Sequence, residues 1–95
     1  MLSMVAQQQT EPLQVDPSLI GTLELAGAEV PYVDLNDWPF IGTRLVVDGS
    51  EYAYNRSFII RGHSAVMPQA VSELQAQGHQ ILVVERQDRY YVYVA

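Results

Sequence analysis

The sequence predicts a small α+β domain: antiparallel β-hairpins, with one α-helix at about residues 68–77 set before a C-terminal hairpin at 80–94. Three observations predict it. Gln80–Glu85 and Tyr90–Val94 are two apolar, strand-forming runs joined by the polar turn Arg86-Gln87-Asp88-Arg89. Asp48-Gly49, between two alternating runs, is the strongest two-residue hairpin signal in the chain. Pro68–Gln77 carries Ala70, Val71 and Leu74 at helical spacing and is closed by Gly78.

In chain order, residues 1–18 are expected to form a flexible arm and 19–95 the single domain. Gln7-Gln8-Gln9 is polar, and Pro12 and Pro17 resist regular structure. Met4 is an alternative start to Met1. Such an arm stays loose or orders on a partner. Ile20–Leu25 and Ala28–Val33 then form a hairpin about Ala26-Gly27. Leu23, Leu25, Ala28 and Val30 share one face, and Glu24 and Glu29 share a wet one. Pro31 donates no ladder hydrogen bond, which places its strand at a sheet edge. Asp34–Gly42 is a loop by its turn residues. It holds Trp38 and Phe40, which either plug one end of the core or anchor a partner.

A two-residue turn at Asp48-Gly49 sets Val47 opposite Ser50, Val46 opposite Glu51, Leu45 opposite Tyr52, Arg44 opposite Ala53 and Thr43 opposite Tyr54. Leu45, Val47, Tyr52 and Tyr54 fall on one face, so this hairpin is one-sided. Ser57–Arg61 continues the strand through a bend, and Gly62-His63-Ser64 breaks it. Pro68 is acceptable in a first helical turn, and Gly78 suits a C-terminal stop. In the last hairpin Ile81 faces Val94, Leu82 faces Tyr93, Val83 faces Val92 and Val84 faces Tyr91. One face is aliphatic, and the other is Leu82, Val84, Tyr91 and Tyr93. Both need cover. The helix suits the first. The second is covered by the Leu45/Val47/Tyr52/Tyr54 face, making a small sandwich or half-barrel, or by a partner. The last strand has no charged guard after Arg89, so it is expected to offer an open edge to strand addition.

Composition narrows the function. Ninety-five residues, 48% of them apolar, support one domain and one core. There is no membrane span, no signal-peptide pattern and no cysteine, so a cytoplasmic protein is expected. The net charge is -6: residues 1–43 hold six carboxylates and no cation, and the rest hold five arginines and five carboxylates. That balance disfavours nucleic-acid backbones. Arg86, Arg89, Tyr91 and Tyr93 are nonetheless residue types that stack on bases. The only histidines are His63 and His79. His63-Ser64 are sequence neighbours that point in different directions, so a triad needs a distant carboxylate such as Asp34 or Asp37. No metal-ligand spacing and no phosphate-cradling glycine loop occurs, and no cofactor is expected.

The general look is that of small bacterial or phage proteins, and no motif names a family. The expected function is a non-catalytic protein-interaction module, an accessory subunit or adaptor of a larger assembly. It would bind a protein partner, or self-associate, through the C-terminal hairpin. The expected partner-binding residues are Trp38, Phe40, Leu82, Val84, Arg86, Arg89, Tyr91 and Tyr93. One alternative is a phage- or host-encoded inhibitor or nucleic-acid mimic. Another is a small enzyme using His63 with a distant carboxylate.

Overall fold

The computed structural model describes residues 12–61 and 66–95. Along the chain come β1 (Leu13–Val15), a 3-10 turn (Pro17–Leu19), β2 (Gly21–Leu25), β3 (Ala28–Asp34), β4 (Arg44–Val47), β5 (Ser50–Ile59), α1 (Val66–Ala76), β6 (Ile81–Arg86) and β7 (Arg89–Val94). The strands make one seven-stranded sheet in the order β1-β4-β5-β7-β6-β3-β2.

Three two-residue turns set the registers. Their φ angles are 51° and 86° at Ala26-Gly27, 50° and 83° at Asp48-Gly49, and 54° and 62° at Gln87-Asp88. Positive φ at both central residues is the type I′ turn, whose twist matches that of paired strands. Leu25 therefore faces Ala28, Val47 faces Ser50 and Arg86 faces Arg89. All three registers are those the sequence predicts. The bend in β5 is a bulge at Asn55: Tyr54 faces Tyr93, and Arg56 then faces Val92.

The sheet is mixed, where antiparallel hairpins alone were expected. β1 runs parallel to β4, and β3 runs parallel to β6. Hairpins pair locally, but their docking into one sheet is a tertiary event with no local signal. Four further expectations are corrected. Leu13–Val15, inside the span read as a flexible arm, is a strand with Val15 buried. Pro12 and Pro17 flank that strand without interrupting it, and residues 1–11 lie outside the described ones. Pro31 sits in an interior strand. It stands opposite Thr22, one residue before the β3–β6 register begins at Tyr32, so it removes none of those rungs. β7 lies between β5 and β6, so the last strand is not an open edge; the outer strands are β1 and β2.

The helix starts two residues early, at Val66, and Pro68 remains in the first turn, where its missing N–H has no helical acceptor. It ends at Ala76, and Gly78 beyond it has φ +95°. The His79 N–H donates to the Leu74 carbonyl at 3.1 Å and the Gly78 N–H to that of Gln75 at 2.9 Å, a Schellman cap.

The sheet is apolar on both sides. On one side Met67, Val71 and Leu74 of α1 pack on Val30, Ile81, Val83 and Val92. On the other, Val15, Val33, Leu45, Leu82, Val84 and Tyr93 are buried together with Leu35 and Ile41 of the 35–42 loop. Each such side chain contributes roughly 1.5–3 kcal/mol on burial. Pro31 of β3 and Val47 near the β4–β5 turn line one cleft of about 320 Å³, so the sheet curls until its two flanks approach. The cover of Leu82, Val84 and Tyr93 is therefore internal, supplied by β1, β4 and the loop, and Tyr91 is left half-buried.

Candidate functional site

The loop after β3 shapes the most exposed apolar feature of the described residues. It begins with an Asx turn, in which Asp34 Oδ1 accepts from the Asn36 N–H at 2.9 Å. Asn36 Oδ1 in turn accepts from the Gln87 N–H at 2.8 Å, tying the loop to the β6–β7 turn. Leu35 is fully buried, and its N–H donates to the Glu85 carbonyl at 3.0 Å. Arg86 then grips the loop from β6. Its Nε donates to the Trp38 carbonyl at 2.8 Å and its Nη2 to the Pro39 carbonyl at 2.9 Å. The Tyr93 hydroxyl donates to the Gly42 carbonyl at 2.7 Å. Gly42 has φ +66°, and a Cβ there would lie 3.3 Å from the Phe40 ring.

With its neighbours held, Phe40 stands 60% exposed. It forms one wall of an open cleft of about 560 Å³, with Tyr54, Tyr91 and Arg86 around it and Tyr93 beneath. The Tyr54 ring meets Tyr91 at 6.2 Å and Tyr93 at 5.9 Å between centroids, tilted in the first case and edge-on in the second.

The structure divides the eight residues expected to bind a partner. Phe40, Arg86 and Tyr91 line the cleft. Arg89 stands opposite Arg86 on the same face of the hairpin. Trp38 is half-buried against the core. Leu82, Val84 and Tyr93 are corrected to interior residues: at 0–2% exposure they belong to the core under the loop and β4, and Tyr93 meets the cleft only as its floor. Tyr54 belongs with the cleft, although the candidate set omits it. Its signal is its place in the Asp48-Gly49 register, which puts it at the end of β4's cover.

Burial holds the Tyr93 phenol well above its ordinary pKa of 10.0, and the nearby Tyr91 and Tyr54 add to this. Burial likewise raises Tyr32, as does the hydrogen bond that its hydroxyl donates to Glu85, and Tyr90 rises through burial and Glu85. A raised folded pKa leaves the stability contribution intact below pH 10 and removes it as the unfolded tyrosines begin to ionise. The urea midpoint is therefore expected to hold steady through neutrality and to fall from about pH 10 upward. Tyr93→Phe should flatten that fall; an unchanged slope would remove Tyr93 from this account.

The described cleft offers aromatic faces, phenol hydroxyls and a cation, with no carboxylate or imidazole to move a proton. Among the described residues no cluster of histidine and carboxylates could hold a metal, and no helix is long and apolar enough to cross a membrane. His63 and Ser64 lie outside the described residues. No protein-family model matches the chain, and no curated protein or solved structure is detectably similar to it.

Proposed function

We propose that this chain is a non-catalytic interaction module, an accessory subunit or adaptor, and that the Phe40 cleft is where it receives its protein partner. The observation that carries this reading is Phe40 itself, 60% exposed on a loop that Arg86 and Tyr93 hold in place. A loose loop could fold its phenylalanine away from water. A fixed one keeps it outside and has already lost the conformational freedom that binding otherwise removes. Aromatic side chains and arginine around a concave floor are the composition of interface hot spots.

Phe40→Ala tests this. An exposed side chain contributes little to the fold, so the urea midpoint should correspond to within about 0.5 kcal/mol of the unaltered chain. Retention of a stoichiometric protein partner, compared in parallel nuclease-treated pull-downs, should fall about tenfold or more. A partner retained equally by both proteins, or none retained by the unaltered chain, overturns the reading.

A further inference from the structure

Beside the cleft, β5 outruns its neighbour. β4 pairs with it only from Ser50 to Ala53, and the Tyr54 N–H closes on the Thr43 carbonyl at 2.8 Å. Past the Asn55 bulge, Arg56–Ile59 pair with β7 on one side and, among the described residues, with no strand on the other. The Ile60 N–H donates to the Asp88 carbonyl at 3.0 Å, toward β7. Main-chain groups alternate in direction along an antiparallel strand, so those of Ser57 and Ile59 point outward. The side chains of these two residues stand opposite Tyr91 and Arg89, on the face of the cleft. The open edge and the aromatic cleft are thus one continuous surface.

Its charge runs against that of the molecule. The chain carries a net -6, yet Arg86 and Arg89 stand opposite each other here. Among the described residues their bonds go to neutral oxygens only: Arg86 to the Trp38 and Pro39 carbonyls, and Arg89 to Ser57 Oγ at 3.0 Å. The one ion pair among the described residues, Arg44 with Glu51, lies elsewhere on the β4–β5 hairpin.

We propose that this edge takes an extended, acidic segment of the partner as an added strand. This rests on the docking reading above and names the partner's chemistry. The main chain of the segment would bond to Ser57 and Ile59, and the side chains it turns to the cleft face would be apolar along Tyr54, Tyr91 and Phe40 and acidic at Arg86 and Arg89. Alternating main-chain donors and acceptors are matched by another strand. A polyphosphate chain lacks that pattern and meets the repulsion of the whole domain.

The test uses an acetylated heptapeptide in which threonine separates valine from glutamate, so that both fall on one face, its lysine counterpart, and oligothymidylate, each added to the full chain. The glutamate peptide should slow amide exchange at Ser57 and Ile59 and bind about tenfold tighter than the lysine peptide. Ile59→Pro should abolish this binding. The Ile59 N–H points outward, so proline there blocks the edge and removes no rung to β7. Equal binding of the two peptides, preference for oligothymidylate, or no protection at either amide overturns the proposal. So do amides already protected in the free chain. The two readings separate in the pull-down. A partner lost with Phe40→Ala but kept by Ile59→Pro leaves the docking cleft standing and removes strand addition, and one kept by both variants removes both.

Discussion

Tyr93→Ala is expected to remove a large share of the domain's stability. The ring is fully buried, in one cluster with Leu35, Ile41, Leu45, Leu82 and Val84. Truncating a buried aromatic costs about 3–5 kcal/mol. A chain of this size has roughly 5–14 kcal/mol in total. The hydroxyl accounts for only a part, because Tyr93→Phe keeps the ring and loses one bond to the Gly42 carbonyl, about 1 kcal/mol. Urea denaturation followed by circular dichroism reads both. A near-normal midpoint for Tyr93→Ala would mean that the ring lies outside the core. Tyr91→Ala, at a half-buried position on the cleft, should cost less and act chiefly on binding.

Tyr91 and Tyr93 show where the sequence stops informing. Alternation along β7 puts both on one face, and the two-residue turn fixes what each faces across the hairpin. These relations depend on neighbours within a few positions, so they are legible. What covers each tyrosine depends on β1, β4 and the 35–42 loop. The parallel pairings that deliver these are three rungs long and join segments remote in sequence. Leu13 and Val15 carry too little pattern to announce a strand between two prolines. The loop reads correctly as a loop, with Trp38 packed against the core and Phe40 outside. Its fixation by Arg86 is invisible to any local pattern, because an arginine at a strand end resembles every other solvated arginine.

Arg86→Ala is expected to have the second-largest effect, and to act at a distance. Its guanidinium bridges two consecutive carbonyls, those of Trp38 and Pro39. Bonds to a charged donor are worth more than neutral ones, but these carbonyls can be rehydrated once released, so the loss should be about 2 kcal/mol. The larger consequence is conformational. Phe40 would remain in the sequence and lose its fixed position, so partner affinity should fall about tenfold although no contacting ring has been removed. Lysine keeps the charge but lacks the planar fork, so Arg86→Lys should fall between the two. Trp38, the single tryptophan, reports on the loop directly. Its fluorescence should shift toward that of a hydrated indole in Arg86→Ala. An unchanged spectrum together with unchanged binding would leave Arg86 without this role.

The strand order also bears on how the chain is made. The β2–β3 and β4–β5 hairpins are synthesised early, yet in the sheet they are joined only through β6 and β7. While the ribosome is still adding residues 81–94, each half-sheet exists without the middle it shares with the other. Val30 on one side and Leu45 on the other then face water or a chaperone. Commitment to the fold waits for the final hairpin, which forms quickly by itself and must then insert between two partners remote in sequence. Such non-local closure places folding on the millisecond-to-second scale typical of sheet-rich topologies. A nascent chain halted before β7 would display unpaired apolar strands, making it a substrate for quality control.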